Sequence, residues 1–586
     1  MAFLDSLQPG ECAIVESYLE PVFFPKGTLI VEQGTQGDGC YLIDKGQVRL
    51  EVDVGETNTD AVLGYLESGT LLGEFSLIDE KPRSATAYAH TDVEARFLSA
   101  DGYRKLQEQH PRIGSAVLNE LARDLVGKLR RTTENVTSAI AMDVPPPAID
   151  KMVARAAAAQ RAFEGWSEER VDALFEDVAR SSADRATQLA EETVEETGFG
   201  VVADKAVKIR FASVGVCESL TGKPVSGLLR SDNESRVTKI ASPMGVVLGL
   251  IPLTSPVPTV IFKALICLKS RNALILSCHR GAQGLGSRAG EIIKDVLQEH
   301  GVPVDLVQWI KERTSRKTTQ MFMRHEGVGF ILATGGPSMV KAAYSSGAPA
   351  IGVGPGNAPV FICSDVDPEA AAQAVIKGKS FDNGVICGSE NNLVVDASVR
   401  EPFITTLQAH GSAVLTTDEI DRFTPVVFDL RTGHLRRELV GQSAQTIAKL
   451  CGIERNDTIR LIIAPLEASR VDGPYGREKL APILSLFTVD SEGEGFELCK
   501  KILQQEGFGH TAIIHTADPD LAKRFGLKMP VSRILVNCPG PKGTAGISSG
   551  LTPSVMLGCG TLGGTSTTDN VSYSNLLNIK RIAQAL

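Results

Sequence analysis

Three consecutive prolines, Pro145–Pro147, interrupt the chain in the segment AMDVPPPAIDKM. Proline holds φ at about −65° and has no amide hydrogen to donate. Neither a helix interior nor a central strand therefore runs through such a tract. The chain is expected to fold as separate units joined by a stiff spacer, which we place at residues 137–149. At roughly 150 residues per domain, the 586 residues make about four folding units.

Sixty Lys and Arg against seventy Asp and Glu leave a net charge of −10. Phosphate affinity comes mainly from Lys and Arg, so no nucleic-acid partner is expected. With 43% apolar and 22% charged residues, the chain is neither disordered, collagen-like nor disulfide-stapled. Met1–Gly10 carries Asp5, no basic residue and no long apolar run, so no secretory signal is expected. Met244–Leu268 has one charge, Lys263, in 25 residues, which is long enough for a bilayer. Pro252, Pro256 and Pro258 argue instead for a buried strand, a turn and a buried helix, with no membrane association. Eleven cysteines without a CxxC pair are expected to be reduced thiols of a cytoplasmic protein. No HExxH motif or Cys/His cluster points to a metal.

Up to Leu98 the sequence consists of short alternating segments, such as CYLIDKG and QVRLEV, punctuated by glycines. This spacing suggests a small barrel or sandwich. From Ala100 to Val136 apolar residues recur at helical spacing. Beyond the spacer, 148 to about 208 is helix-rich. From Lys239, strand-like runs (GVVLGLIP, NALILS, GVGFILAT, APVFIC) alternate with helical stretches. That pattern points to βαβ units and a largely parallel sheet.

The segment GEFSLIDEKPRSATAYA, Gly73–Ala89, resembles the phosphate-binding cassette of cyclic nucleotide-binding domains. The upstream FPKGTLIVEQGTQGDGCYLIDKGQVRL resembles the same family. The likeness covers about residues 3–135 and implies a jelly-roll-like β-barrel followed by a helix that closes over the base. Arg83 suits a singly charged cyclic phosphate through a two-pronged contact. Backbone amides around Ser84 and Ala85, at a turn or short helix, add donors. Glu74 is an acceptor for a ribose 2′-hydroxyl, and Gly73 lets the backbone approach the sugar. The resemblance implies cAMP or cGMP as effector, with cAMP favoured. Its signal must pass through the 100–136 region and the spacer, the only covalent connection. No helix-turn-helix follows, which separates the chain from transcription factors sharing this module.

The segment KSFDNGVICGSENNLVVD, Lys379–Asp396, closely resembles the nucleophile segment of CoA-acylating aldehyde dehydrogenases, including the aldehyde-oxidising half of bifunctional aldehyde-alcohol dehydrogenases. RNALILSCHRGA, ILATGGPSMVKAAYSSGAPAIGVGPGNAPV, REKLAPILSLF, EGFGHTAIIH and MLGCGTLGGTSTTDNVSYSNLLNIKRIA also match, in family order, so the likeness spans roughly 150–586. It implies an α/β fold with a cofactor-binding subdomain at 150–359, a catalytic subdomain at 360–545 and a C-terminal return and oligomerisation segment at 546–586. A homo-oligomer, at least a dimer, is implied too. The iron-dependent alcohol dehydrogenase half is not expected.

In that family a cysteine thiolate, here Cys387, attacks the aldehyde, passes hydride to NADP or NAD, and yields a thioester that coenzyme A takes up. Hydrolytic relatives carry a water-activating carboxylate in the segment matching Ala350–Pro359. AIGVGPGNAP has none, so the thioester is expected to wait for a thiol. Thr334, Gly335 and Gly336 match the dinucleotide-binding turn. Glu478 matches the carboxylate on the nicotinamide ribose. Ser255 stands where the superfamily has the oxyanion-holding Asn, which leaves more of that load to the Cys387 amide. Ser277 and Arg280 fall in LSCHRG, where many relatives have Lys-Pro-Ser-Glu; loss of the acid and gain of Arg280 favour a 2′-phosphate. His510 matches a recurrent histidine, for positioning, proton transfer or structure. The identity of the small aldehyde or acyl-CoA stays open among acetaldehyde, propanal, sulfoacetaldehyde and others. A hydrolytic enzyme, or a sensor or scaffold with a silent dehydrogenase, are the competing readings.

Overall fold

Glycine-punctuated segments near the N-terminus pair into two antiparallel four-stranded sheets. The computed structural model describes residues 8–52, 61–79, 81–122, 125–126, 147–232, 234–311 and 315–585. One sheet runs Leu19–Phe24, Val93–Ser99, Gly39–Lys45, Leu71–Leu72; the other runs Leu29–Val31, Thr86–Ala89, Val48–Val52, Ala61–Leu66. Ile43, Leu72, Val93 and Ala95 of the first share a buried cluster with Val48, Ala87 and Ala89 of the second, so the sheets pack face to face. The expected jelly-roll-like barrel appears as these two sheets; among the described residues no hydrogen-bonded ladder closes them into one.

The helical stretch expected from Ala100 is divided. Helix Ala100–Gln109 stops at His110, and Pro111, which has no amide to continue the ladder, opens a second helix over 111–122. Tyr103, Leu106, Ile113, Val117 and Leu121 share a buried cluster with Val15, Cys40, Leu42, Leu71 and Leu98. The remainder of that stretch at 123–124 and 127–136, with most of the spacer at 137–146, lies outside the described residues. The chain divides into two units, Met1–Asp143 and Val144–Leu586.

In the second unit two parallel sheets position the site. The first has the order Val307–Trp309, Ala273–Cys278, Val246–Ile251, Phe330–Thr334, Ala350–Val353. Val246–Ile251 is buried at every position, which is why it reads as an unbroken apolar run and does not alternate. The Met244–Leu268 segment is this strand, a turn and the helix Pro256–Lys269. Pro256 occupies the first helical position, where its missing N–H loses no bond. Among the described residues no helix is long and apolar enough to cross a membrane. The second sheet has seven parallel strands, in the order Ser412–Val414, Leu461–Leu466, Ile483–Val489, Glu390–Asp396, Ala358–Ile362, Gly509–His515, Val531–Val536.

The C-terminal strand Leu577–Ala583 returns to pair with Val237–Pro243, which also pairs with Gly227–Asp232. Asn272, fully buried, pins this return. Its carbonyl oxygen accepts from the Met244 and Gly245 amides at 2.6 and 2.9 Å, while its amide donates to the Leu576 carbonyl at 3.0 Å. Asn272→Ala leaves these three backbone groups without partners. We expect a loss of about 3 kcal/mol, read as a lowered urea midpoint for the second unit.

Candidate active site

In the five-stranded sheet the strand order reverses between Val246–Ile251 and Phe330–Thr334. The crevice beyond the carboxyl ends at such a reversal is where ligands bind in open parallel sheets. Ser255 follows the first of these strands, Thr334–Gly336 the second, and Ser277 lies near the carboxyl end of Ala273–Cys278. In the seven-stranded sheet the polar candidates lie at the other ends. Cys387 precedes Glu390–Asp396, Glu478 precedes Ile483–Val489, and His510 lies at the start of Gly509–His515. Parallel strands place these amino ends on one edge.

The loop joining the two sheets, between Val353 and Ala358, carries the central contact. A Cβ on Gly356 would collide with the Cys387 carbonyl. Only glycine lets the two backbones lie this close. The Gly356 amide then donates to Glu478 Oε1 at 3.1 Å, which holds the carboxyl where its charge acts on Cys387. Lys479, fully buried beside it, anchors the Glu478 loop by donating to the carbonyls of Tyr475 (2.7 Å) and Arg477 (2.9 Å) and to Asn392 Oδ1 (3.2 Å).

Of the eleven cysteines, Cys387 and Cys12 keep partial exposure and nine are buried. Cys387 retains that surface, yet the protein enclosing its sulfur pushes the thiol up to about 12. Burial is the main cause and the Glu478 charge adds to it, while Arg533 and the residue's own amide pull down. Burial, then repulsion from Glu506, raises the Glu478 carboxyl to about 8. Cys387 and Glu478 are both neutral at neutral pH before a ligand enters. His510 is fully buried, with Nδ1 on Thr511 Oγ1 at 2.9 Å and Nε2 without a partner. Burial and then Arg533 lower it to about 3, so at neutral pH it is a neutral imidazole, with one ring N–H to donate in a hydrogen bond and no imidazolium charge.

Sequence reasoning missed Arg533 and Cys559. Arg533 is 3% exposed and donates to the Gly558 carbonyl at 2.6 Å, and its Nε has no partner. It acts electrostatically on Cys387, Cys559 and His510. The signal was a lone cation in the strand VSRILV, whose other residues are uncharged.

Among the cofactor candidates, Thr334 Oγ1 is buried without a partner. Helix Pro337–Tyr344 begins at Gly336 with no capping side chain and no acid in its first turn. Both observations fit a dinucleotide phosphate at this turn. The Ser277 hydroxyl is buried and faces Thr319 Oγ1 at 3.4 Å. Arg280 is exposed, and burial, then Arg437 and Arg280, lower the neighbouring His279. Ser255 caps helix Pro256–Lys269 with its carbonyl toward Thr259, and its hydroxyl makes no cap bond. Among the described residues no cluster of His, Cys, Asp or Glu is arranged to hold a metal.

In the N-terminal unit Glu74 and Arg83 are 3% and 5% exposed. Arg83 Nη1 donates to the Gly73 carbonyl at 3.0 Å, and Nη2 pairs with Asp38 at 2.9 Å. Gly73 has φ +86°, and a Cβ there would strike the guanidinium. Ser84 and Ala85 form a bend leading into Thr86–Ala89, while the short helix of this segment is Glu74–Asp79.

Residues 128–558 match the aldehyde dehydrogenase family, and the chain belongs to that family; residues 21–110 match the cyclic nucleotide-binding domain. The bifunctional aldehyde-alcohol dehydrogenase of Escherichia coli is 37% identical over 441 residues, 74% of this chain and 49% of that protein. The chain thus spans about half the length of such relatives. The succinate-semialdehyde dehydrogenase (acetylating) of Clostridium kluyveri is 32% identical over 435 residues, 74% of this chain and 95% of that protein. The crystal structure of an acetylating aldehyde dehydrogenase from Geobacillus thermoglucosidasius superposes with a TM-score of 0.73 at 38% identity, covering 75% of this chain and 96% of that one.

The electrostatics make a prediction with a definite sign. Below pH 8 Glu478 is mostly neutral, so Glu478→Gln should leave iodoacetamide alkylation of Cys387 nearly unchanged at pH 7. Above pH 8 the wild-type carboxylate repels the thiolate, and the variant should react about three- to tenfold faster at pH 9. Peptide mapping of the labelled cysteine measures both rates.

Proposed function

We propose that the chain is a CoA-dependent, acylating aldehyde dehydrogenase under cyclic-nucleotide control. The reaction converts an aldehyde, CoA and NAD(P)+ to an acyl-CoA and NAD(P)H, reversibly. One observation carries the reading. The loop lying against Cys387, within Ala350–Pro359, holds no carboxylate that could activate water. A carboxylate-free loop favours delivery of the thioester to a thiol over hydrolysis.

Cys387 Sγ adds to the aldehyde carbonyl, giving a thiohemiacetal. The Cys387 amide and the Ser255 hydroxyl donate to its oxyanion. When bound, NAD(P) supplies the hydride acceptor and a positive charge near a thiol that is otherwise neutral. Glu478 holds the nicotinamide ribose, and Thr334–Gly336 hold the phosphates. His510, neutral and with Nε2 free of protein partners, positions the substrate oxygen or the incoming CoA thiol. We assign Arg280 to a 2′-phosphate, which favours NADP over NAD; Ser277, turned to Thr319, serves the wall of that site.

Residues 1–136 form the sensor, 150–359 and 360–545 the cofactor and catalytic parts, and 546–586 the return segment, which we assign to a homo-oligomer interface. In the sensor, Arg83 and amides at Ser84 and Ala85 take the cyclic phosphate while Glu74 takes the ribose, with cAMP preferred. The site suits a protein of the cytoplasm, where NADP, CoA and reduced thiols are at hand.

Two experiments test this. NAD(P)H formation from small aldehydes should require CoA, and Cys387→Ala should lose more than ~10³ in turnover. Free-acid formation at full rate without CoA refutes acyl transfer. Calorimetry should show cAMP binding lost in Arg83→Ala. In the wild type a coupling of about 1–3 kcal/mol should shift CoA or NADP affinity about 5–150-fold, with a reciprocal shift in cAMP affinity. Binding without any such shift would leave a sensor that does not govern this enzyme.

A further inference from the structure

The segment entering the nucleophile turn is strained. Asp382 and Asn383 have φ of +49° and +52°, and Gly384 follows at +71°. Two consecutive side chains in the left-handed region are unfavourable and persist only where the surroundings over-determine them. The surroundings here are specific. Asp382 is fully buried. Its Oδ2 accepts from Lys208 Nζ at 2.8 Å and from Lys205 Nζ at 3.2 Å, and its Oδ1 accepts from the Val201 amide at 2.9 Å. The Asp382 amide in turn donates to Asp204 Oδ2 at 2.8 Å, and Asn383 donates to the Gly441 carbonyl at 2.9 Å. Gly200 is required beside this carboxylate, since a Cβ there would overlap Asp382 Oδ1.

Lys205 and Lys208 are three residues apart on helix Val202–Arg210, so one helix face delivers both ammonium groups. Their side chains are 3% and 11% exposed. Burial, and then the neighbouring Lys208, lower Lys205 to about 8. The same two lysines line a small cavity with Ser255, Pro256 and Pro258. The grip on Asp382 therefore ties helix 202–210 to the segment that leads within five residues to Cys387, and the same two lysines border the turn at Ser255.

We propose that Lys205 and Lys208 are positioning residues for acyl transfer, holding Asp382 so that the left-handed 382–384 stretch aims Cys387 at the Ser255 side of the site. The inference rests on the reading of Cys387 as the nucleophile. A buried carboxylate with one of its cations removed has reason to relax the strained backbone, and a displacement of the sulfur by about 1 Å can cost on the order of 100-fold in rate.

The test uses the full-length chain. Lys205→Met and Lys208→Met should lower kcat about 10- to 100-fold and leave KM for CoA within about twofold. Both should alter the iodoacetamide rate of Cys387 by at least about threefold, scored per folded molecule by circular dichroism. Lys208→Arg, which keeps the charge, should recover about tenfold over Lys208→Met. Should Lys205→Met fail to fold, Lys208→Met, the more exposed of the pair, decides the matter. A kcat near wild type in the Met variants overturns the proposal. So does a loss of kcat explained by the unfolded fraction alone, or one that leaves Cys387 alkylation unmoved. Cys387→Ala is assayed in parallel. If it stays active, the nucleophile reading itself falls. If it is inactive while the lysine variants are normal, only the positioning role falls.

Discussion

The close approach of the Gly356 and Cys387 backbones is the constraint from which the site is built. It requires glycine at 356, because any side chain would displace the nucleophile's carbonyl. It brings the loop between the two parallel sheets over the cysteine turn and places the Gly356 amide on Glu478. A loop this close sets the chemical surroundings of Cys387. Its residues decide whether a carboxylate of this loop stands beside Cys387, and here they are glycine, proline and asparagine.

The second organising influence is low dielectric. Cys387, Glu478, His510 and Arg533 sit where charge is costly, and each is held toward its neutral form. Arg533 is the exception in effect, because a guanidinium does not give up its proton in proteins. It is therefore a fixed positive influence on a thiol that burial has silenced. Burial thus keeps the Cys387 thiol protonated at neutral pH unless a positively charged or hydrogen-bonding group comes beside it.

The N-terminal unit solves a different problem with a similar device. Gly73, at positive φ, clears space for the Arg83 guanidinium, which its carbonyl and Asp38 hold ready. Small antiparallel sheets suffice for this, since Gly73 and Arg83 lie ten residues apart in one short segment. Linking the two units is left to residues 100–146, whose described part is a pair of helices broken at Pro111.

What was legible in the sequence is what contiguous segments carry. The division near the prolines, the unbroken apolar strands, the match of Gly73–Ala89 to a cyclic nucleotide-binding domain and the lack of a carboxylate in 350–359 all depend on neighbours along the chain. The helix expected from Ala100 onward was too long because apolar spacing continues across Pro111, although the missing amide ends the ladder there. What only the tertiary structure decided is which distant residues meet. Asp382 and Lys205 are separated by 177 positions, and Cys387, in the loop before Glu390–Asp396, meets Arg533 of the strand Val531–Val536. Parallel strands are joined by crossovers that bring their amino ends to one edge whatever lies between them. The partners of a buried charge are therefore set by strand order and depth, and no local pattern in the sequence records either.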